Sequence, residues 1–351
     1  MHRGFLALAL ALLCSGAVVA AATPPAVTPA KTQTFKDWIV GCDNGLSCQA
    51  VALAPDGSSE DTLSLLVRRS GGEGEFSVEL SGFPTSMTTY RISIDNRAAN
   101  RGAVATGTDA FQIVGPGAMK LARAMAKGLT LRLNDGSGVA IGRVSLLGAT
   151  AAMRYMDRAQ GRVGSRSAIV ATGRRAATAT RDTQIPVILT SRIKPSDMLP
   201  DTAALVALSE NSPCANERVG ATQDSTFSLG DTKALVLLNC GARAYNASVA
   251  AYIGGRDETG KWTFNPATFD YAPSRLTEAD NIALLVNATW DSATQTLSGF
   301  YKGRVIGDCG SADDYVWDGT SFRLVKARVM DQCRGSTEWI PVWRAEVKLI
   351  G

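Results

Sequence analysis

Residues 35–53, FKDWIVGCDNGLSCQAVAL, contain the clearest structural signal in the chain. Two largely apolar runs, 35–41 and 49–53, flank Asn44-Gly45, a dipeptide that strongly favours a tight turn between paired strands. Cys42 and Cys48 stand on either side of that turn. The stretch therefore predicts a β-hairpin whose two strands are joined by a local disulfide.

The rest of the first half also has the pattern of half-buried strands. Apolar and polar residues alternate over 76–81, 90–95 and 129–134, and a period of two with one apolar face is typical of β-strands. Helices are predicted over 116–127, which begins with a proline, and over 148–160. The second helix places Ala149, Ala152, Met153 and Met156 on one face, with Arg154, Asp157 and Arg158 elsewhere.

The second half is predicted to be mainly β. A short helix fits 202–209, and a hairpin joins 282–290 to 296–302 through a polar turn. The last strand, 339–349, contains Pro341, which indicates an edge strand or a bulge because proline lacks the backbone N–H. The fold class is therefore α+β or mainly β, with two β-rich domains. The first carries two helices on an antiparallel sheet, and the second is a mostly antiparallel sheet or sandwich held by disulfides.

Composition sets the domain boundaries. Residues 1–22 have the charged start, apolar run and small-residue end of a secretory signal peptide, and 23–34 are rich in Pro, Thr and Ala, as in a flexible leader. An N-terminal α+β domain then covers 35–172, and a C-terminal β-rich domain covers 185–351. Between them, 173–184 lack periodicity and large apolar groups, which predicts an interdomain linker.

A membrane anchor is the alternative for this N-terminus, since the apolar run is nearly long enough to span a bilayer. Its alanine-rich end favours cleavage instead. Leu13 stands before Cys14, where a lipoprotein signal needs a small residue. No later apolar run approaches a membrane-spanning length, so we expect a soluble periplasmic or secreted protein.

Six cysteines lie outside the predicted signal peptide. Export leads to an oxidising compartment in which disulfides form and persist. Each pair closes a short loop within one domain if pairing is sequential, although other pairings remain open. A zinc site is the alternative, but the tight Cys-x-x-Cys spacing of such sites is absent, and we predict no metal and no cofactor. The expected pairs are Cys42–Cys48, Cys214–Cys240 and Cys309–Cys333.

Charge and histidine content restrict the classes of function. The net charge of +4 is well mixed along the chain, which gives no case for nucleic acid as a partner. The only histidine, His2, lies in the predicted signal peptide. The exported chain would then lack both the usual proton shuttle of hydrolases and the commonest nitrogen ligand for metals.

Two short motifs resemble catalytic or nucleotide-binding signatures. Ser191 and Lys194 match the Ser-x-x-Lys pattern of penicillin-recognising enzymes, but Pro195 disfavours the helix that would bring the two side chains together. We interpret this motif as an exposed basic loop after a strand. The glycine-rich stretch 136–142 leads into a strand over 139–146 rather than a helix, which indicates a hairpin turn.

Carboxylates supply the remaining candidates for chemistry. Asp308, Asp313, Asp314 and Asp318 lie close to Cys309 in the sequence. Oxygen ligands suit calcium, but the spacing fits no EF-hand loop, so solvated acidic turns are the preferred interpretation. Paired carboxylates also hydrolyse glycans without histidine. A histidine-free hydrolase of envelope glycans or peptides is therefore the alternative function.

Tryptophans are concentrated in the second half. In β domains with disulfides, tryptophan more often fills the core than faces a ligand. We keep Trp317, Trp339 and Trp343 as candidate ligand-facing aromatics. The five tryptophans of this half are Trp262, Trp290, Trp317, Trp339 and Trp343.

Three ordered segments resemble an exported proteobacterial family known only as domain of unknown function 1176. The segments are FKDWIVGCDN (35–44) followed by Cys48, VSL (144–146) through MDRAQGR (156–162), and YVWDGTSFRL (315–324) followed by Cys333 and WRA (343–345). The resemblance covers nearly the whole exported chain. The first half also resembles the invasion-associated locus B family in its aromatic-Trp-Cys opening and its sheet-plus-helix pattern. Neither resemblance brings an active site, and both imply an envelope protein of unassigned role.

Together these observations predict an exported, disulfide-stabilised protein that is not an enzyme. It is expected to bind an unknown envelope or host component, either a protein or a glycan. Nucleic acid is not expected as a partner, and no membrane span is expected after signal cleavage.

Overall fold

The computed structural model of the protein describes residues 27–55, 63–72, 74–176, 183, 185–216, 224–272, 277–278 and 282–350. The predicted signal peptide, 1–22, lies outside these residues, as does most of the predicted linker. The described chain is mostly β-strand with three helices, which confirms the predicted fold class. None of the helices in this part is long and apolar enough to cross a membrane.

The first half forms two antiparallel sheets. The six-stranded sheet, here called the first sheet, has the order β1-β2-β3-β4-β5-β8, and a four-stranded sheet has the order β10-β9-β6-β7. The elements are β1 (Gln33–Phe35), β2 (Trp38–Cys42), β3 (Cys48–Ala52), β4 (Ser64–Arg69), β5 (Phe76–Ser81), β6 (Thr89–Ile94), β7 (Arg97–Ala103), β8 (Ala110–Val114), α1 (Gly115–Met125), β9 (Thr130–Asp135), β10 (Ala140–Ser145) and α2 (Ala149–Ala159).

The second half forms two antiparallel sheets and one parallel strand pair, β11 with β23. The β13–β14 sheet has the order β12-β13-β14-β17-β16, with β15 also on β14, and the five-stranded sheet has the order β18-β19-β20-β21-β22. The elements are β11 (Val187–Ser191), α3 (Thr202–Glu210), β12 (Ser225–Ser228), β13 (Ala234–Arg243), β14 (Asn246–Arg256), β15 (Trp262–Pro266), β16 (Thr277–Glu278), β17 (Ile282–Val286), β18 (Thr289–Asp291), β19 (Thr296–Lys302), β20 (Gly310–Trp317), β21 (Phe322–Met330), β22 (Ile340–Arg344) and β23 (Glu346–Ile350).

One face of the first sheet is covered by α1 and α2. Both helices lie within a few residues of their predicted bounds, and their apolar stripes join a core with the first and four-stranded sheets. Gly148 precedes α2 with a φ of 101°, and a Cβ atom there would overlap the carbonyl group of Phe35. Glycine is therefore required where the chain turns from β10 into the helix.

The buried face of α2 differs from the prediction at one residue. Asp157, expected away from the apolar face, is fully buried because the segment after the helix folds back over it. Its carboxylate accepts from Arg69 Nη2 at 2.7 Å and from the backbone N–H groups of Ile169 and Val170 at 2.9 Å. A buried charge is tolerated when it is paired and hydrogen-bonded, so this ion pair joins β4, α2 and the segment after α2.

The other face of the first sheet packs against the second half of the chain. Ile39, Val51 and Leu66 are at most 1% exposed and share a core with Ile340 and Val342 of β22. The β13–β14 and five-stranded sheets enclose the rest of this core as a sandwich. Burying one such side chain contributes roughly 1.5–3 kcal/mol. The domain division around 173–184 stays a prediction, but the two halves share this core.

Residues 27–34 are held by specific contacts, whereas 23–26 lie outside the described residues. Strand β1 pairs with β2, the Ala30 N–H donates to the carbonyl of Val342 at 2.9 Å, and Thr32 Oγ1 donates to Asp331 at 2.5 Å. This part therefore differs from the flexible leader that its composition predicts. The difference arises because backbone hydrogen bonds, which composition does not reveal, place the segment on the second half.

Two predicted strands are each split in the structure. The strand expected over 282–290 forms β17 and β18, which belong to different sheets. Between them Asn287 has a φ of 47°, accepts from the Ala247 N–H and donates to the carbonyl of Phe300. The strand expected over 339–349 separates into β22 and β23. Pro341 lies in β22, an edge strand paired to β21 through a shift of register, as its sequence predicts.

The disulfides follow the predicted sequential pairing. The first one crosses the β2–β3 hairpin, where its two cysteines are register partners. The second ties the segment after α3 to β13, and the third ties the residue before β20 to the segment before β22. The pairs are Cys42–Cys48, Cys214–Cys240 and Cys309–Cys333.

The buried ion pair gives the first testable prediction. Asp157→Asn removes the negative charge and leaves Arg69 buried without its counter-ion. We expect the free energy of unfolding to fall by about 3–5 kcal/mol, measured by urea denaturation. Arg154→Ala, on the exposed side of the same helix, is the control and should change stability by less than about 0.5 kcal/mol. A loss below about 1 kcal/mol in Asp157→Asn would contradict a stabilising role for the pair.

The shared core predicts that the two halves unfold together. Ile340→Ala deletes a fully buried side chain at this contact and should cost about 2–5 kcal/mol. Unfolding followed by far-ultraviolet circular dichroism and by tryptophan fluorescence should coincide in one transition. Val305→Ala, at an exposed position, serves as the control. Two separate transitions, with only one shifted by Ile340→Ala, would show that the halves are energetically independent.

Candidate functional site

A cavity of about 710 Å³, here called the groove, opens beside the shared core and is lined by both halves of the chain. Its first wall is part of the first sheet, on the face that packs against the second half of the chain. Residues two apart in a strand share a face, so Gln49 follows Val51 on β3 and Arg68 follows Leu66 on β4. The same two strands therefore provide apolar residues to the core and polar residues to the groove.

The second wall is one face of the five-stranded sheet. Phe300, Ala312, Arg328 and Pro341 are successive register partners across β19, β20, β21 and β22. All four line the groove. Because β22 also packs on the first sheet, this wall is fixed relative to the first one.

Two stacked aromatic rings form the floor of the groove. The ring centroids of Phe300 and Trp339 are 4.9 Å apart, with 24° between their planes. Trp339 Nε1 donates to the carbonyl of Gly307 at 3.3 Å, and Gln49 Nε2 donates to the carbonyl of Trp339 at 3.4 Å. Both rings are only half-buried, so they present apolar surface to the groove in a fixed orientation.

The charges lining the groove are mostly basic. Arg68 donates to Gln49 at 3.0 Å and pairs with Glu79 at 3.1 Å and Glu338 at 3.4 Å. Arg328 pairs with Asp314 at 3.3 Å. Lys302 and Lys326 also line the groove, and neither has an ion pair among the described residues. These two lysines leave positive charge beside the aromatic floor.

The rim of the groove carries an exposed apolar loop. Val305 and Ile306 are 67% and 64% exposed, and Ile306 lines the groove. The loop lies between β19 and β20 and is anchored by Asp308, which pairs with Arg304 and accepts from the Gly335 N–H at 2.7 Å. Two exposed apolar side chains therefore lie at the edge of the groove.

The opposite rim is formed by the turn of the β2–β3 hairpin. Asp43 pairs with Arg344 Nε at 2.9 Å, and Asn44 exchanges two hydrogen bonds with the backbone of Arg344 at 2.8 and 2.9 Å. Burial raises the pKa of Asp43 despite the hydrogen bond from the Ser47 N–H and the nearby Arg344. The hairpin predicted from the sequence thus docks directly on the end of β22.

The three candidate tryptophans occupy different surroundings. Trp339 lines the groove. Trp343 is half-buried against the shared core and donates to the carbonyl of Leu324 at 3.2 Å. Trp317 is 5% exposed, with its ring centroid 5.1 Å from that of Phe322, so it lies in the core. Only Trp339 of the three borders this cavity, and a ligand-facing role for it stays a proposal.

Sequence reasoning did not single out Arg68, Phe300, Lys302 and Lys326. Alternation along β19 separates two faces, but it does not show which face is covered by another sheet. The sequence did contain one signal for the groove: Phe300 and Lys302 lie two residues apart, so an aromatic and a basic side chain share one face of β19. This spacing becomes informative only once the neighbouring strands are known.

The two short motifs do not form catalytic or nucleotide-binding structures. Ser191 ends β11, and Lys194 follows in a loop outside any helix. The glycine-rich stretch is the turn between β9 and β10, where Asp135 accepts from the N–H groups of Ser137 and Gly138 at 2.9 and 2.8 Å. The loop and turn interpretations of the sequence fit both segments.

The four aspartates near Cys309 have separate roles rather than a common one. The interpretation as solvated acidic turns is wrong for Asp308 and Asp313, which are 1% and 7% exposed. Asp308 is covered by the segment around Gly335, and Asp313 lies within β20 of the five-stranded sheet. Asp313 instead borders a second cavity. Asp318 does cap a turn, since it accepts from the N–H groups of Thr320 and Ser321. Across the described ranges, no group of three metal-binding side chains is found.

Comparison with known families matches residues 32–346 to one described as "Protein of unknown function (DUF1176)". The chain belongs to this family. A curated relative in Escherichia coli strain K12, "Uncharacterized protein YpfG", is 26% identical over 375 aligned residues, which cover 97% of this chain and 99% of that protein. The DUF1176 resemblance carried by three sequence segments is thereby confirmed.

Among solved structures, the crystal structure of invasion associated protein b from Bartonella henselae is weakly similar. It is 18% identical, with a TM-score of 0.29, and covers 37% of this chain and 99% of its own.

The buried carboxyl of Asp313 makes stability depend on pH. Burial raises its pKa from 3.8 to about 7, Asp314 adds to the rise, and Arg328 opposes it. The folded state therefore binds this proton more tightly than the unfolded state. The stability linked to protonation is full below about pH 4 and is lost as pH rises through about 7.

We accordingly expect Asp313→Asn to unfold at higher urea concentration than the wild type at pH 8 and at a similar concentration near pH 4. Asp109→Asn, at an exposed site, is the control and should follow the wild type at both pH values. An unchanged pH dependence in Asp313→Asn would show that this carboxyl is not the cause.

Proposed function

We propose that this DUF1176 protein is an exported, non-enzymatic binding protein whose groove holds an anionic glycan of the cell envelope. The observation that carries the proposal is the Phe300–Trp339 stack with Lys302 and Lys326 beside it. Aromatic surface with a few placed polar groups is typical of small-ligand and oligosaccharide sites. Flat aromatic rings suit the apolar faces of sugar rings, and ammonium groups suit carboxylate or phosphate.

Export is supported by the covalent structure. Three disulfides are typical of a protein in an oxidising compartment such as the periplasm or the extracellular space. The N-terminal signal peptide expected from the sequence leads to the same compartment. Together these features favour an envelope component over a cytosolic ligand.

A binding role is favoured over hydrolysis by the state of the groove's carboxylates. Asp43 is paired with Arg344 and Glu338 with Arg68. Each of these carboxylates is already engaged by an arginine, which favours a structural role over proton transfer to a ligand. The chain's only histidine is His2. These features support a groove that retains its ligand.

Binding to two polysaccharides tests the proposal directly. Alginate, a polyuronate, and dextran, a neutral polymer, can be compared by calorimetry with the full exported chain. We expect alginate to bind and dextran to bind at least tenfold more weakly, and added salt should weaken alginate binding because the attraction is ionic. Equal binding of the two polymers would contradict the proposal. Shortening of the alginate chains during incubation would indicate the alternative, hydrolysis.

Variants separate the groove from the core. Trp339→Ala and the double change Lys302→Gln with Lys326→Gln should each weaken alginate binding by tenfold or more, with little change in unfolding temperature. Trp339→Phe keeps a ring for the stack and should retain most of the affinity. Trp317→Ala is the contrasting variant, because loss of a buried tryptophan should cost about 3–5 kcal/mol of stability. Wild-type affinity in Trp339→Ala would exclude this floor as the binding surface.

A further inference from the structure

A second cavity of about 530 Å³ lies on the opposite face of the five-stranded sheet from the groove. Side chains alternate between the two faces of a strand, so β20 directs Ala312 into the groove and Asp313 into the second cavity. Residues 29–32, which are tied to β22 by the Ala30 hydrogen bond, line its other side. We call this space the Asp313 cavity.

Asp313 is a buried acid whose carboxylate has no partner among the described residues. It is 7% exposed, and no hydrogen bond or ion pair reaches its carboxylate from the residues that the structure describes. Arg328 is nearby, but its Nη2 pairs with Asp314 on the other face of the sheet. A buried polar group that lacks a partner is costly and requires an explanation. A ligand that supplies the missing donor is one such explanation.

The side chains around Asp313 indicate which kind of hydrogen-bond donor a ligand would bring to it. Tyr271 and Tyr301 line the same cavity, and Tyr315 lies two residues along the same strand. Burial and the charge of Asp313 raise the pKa values of Tyr271 and Tyr315, so both phenols stay neutral. A carboxylate beside aromatic rings favours a cation with N–H groups, because such a cation pairs with the acid and is attracted to the ring faces.

We infer that the Asp313 cavity binds an alkylammonium group, with the Asp313 carboxylate as its counter-ion and the rings of Tyr271 and Tyr301 beside it. Lys31 and Asp331 also line the cavity and are exposed. Asp331 is engaged by Thr32 at 2.5 Å, so Asp313 provides the buried charge. The site is separate from the groove and does not depend on what the groove binds.

The inferred site should respond to pH near neutrality. The titratable and charged groups around Asp313 are Asp314, Arg328, Tyr271 and Tyr315, with Tyr301, Lys31 and Asp331 along the cavity. Burial raises the pKa of Asp313 to about 7. The carboxyl of the free protein is then about 10% ionised at pH 6 and about 90% ionised at pH 8. A ligand that needs the ionised form should bind roughly tenfold more tightly at pH 8.

Matched probes test the chemistry and its source. Putrescine represents free polyamines, and 1,4-butanediol is its neutral counterpart. Nα-acetyl-lysine amide represents the lysine side chain of a peptide, and its Nε-acetylated form is the neutral counterpart. Calorimetry at pH 8 should show binding of at least one ammonium probe and at least tenfold weaker binding of its neutral partner. The tighter ammonium probe identifies the source.

Variants tie this binding to the buried acid. Asp313→Asn should reduce the affinity for the ammonium probe at least tenfold and abolish its pH dependence, while Asp109→Asn should match the wild type. If Asp313→Asn does not fold, the wild-type affinities for the ammonium probe at pH 6 and pH 8 still test the inference. The inference is overturned if no ammonium probe binds up to about 10 mM. Equal binding of a neutral partner, unchanged affinity in folded Asp313→Asn, or equal affinity at both pH values would overturn it as well.

Discussion

The packing of β22 across the first sheet joins the two halves of the chain in one core. Ile340 and Val342 cover Ile39, Val51 and Leu66, and this contact leaves no room for a side chain at Gly41, where a Cβ atom would lie 2.6 Å from Ile340. Because the contact covers only part of the sheet face, the uncovered part becomes a wall of the groove. The position of β22 therefore sets both the core shared by the two halves and the shape of the candidate site.

The five-stranded sheet lines the groove with one face and the Asp313 cavity with the other. Successive residues of β20 point to opposite faces, so Asp313 and Asp314 are neighbours in sequence and lie in different surroundings. Asp314 is neutralised by Arg328, whereas Asp313 has no such partner among the described residues. The strand's period of two thus separates a structural ion pair from a buried acid that borders a cavity.

Local patterns in the sequence were sufficient for the elements that depend on near neighbours. The β2–β3 hairpin, the bounds of α1 and α2 and the edge position of Pro341 follow from turn residues, periodicity and backbone chemistry. The buried side of Asp157 does not follow, because it depends on Arg69 and on a segment that returns to the helix. Asn287 likewise ends a run of strand-forming residues through hydrogen bonds to Ala247 and Phe300.

The candidate site was harder to predict for the same reason. Trp339 was among the candidate aromatics, but Phe300, Lys302 and Arg68 become neighbours only when distant strands are aligned. Asp308 and Asp313 read as acidic loop residues because their burial is created by partners elsewhere in the chain. Residue types thus indicated an exported, disulfide-bonded β protein. The position of each charged side chain could be known only once the sheets were assembled.

The contact between Asn44 and Arg344 joins positions 300 residues apart, and this separation has a consequence for how the chain matures. A chain that is made from its N-terminus can close the β2–β3 hairpin early, since that pairing is local. The apolar face carrying Ile39, Val51 and Leu66 must then wait, uncovered, for the final strands to be synthesised. During that interval the molecule is a half-covered sheet, a species prone to aggregation, and the docking of β22 ends this exposure.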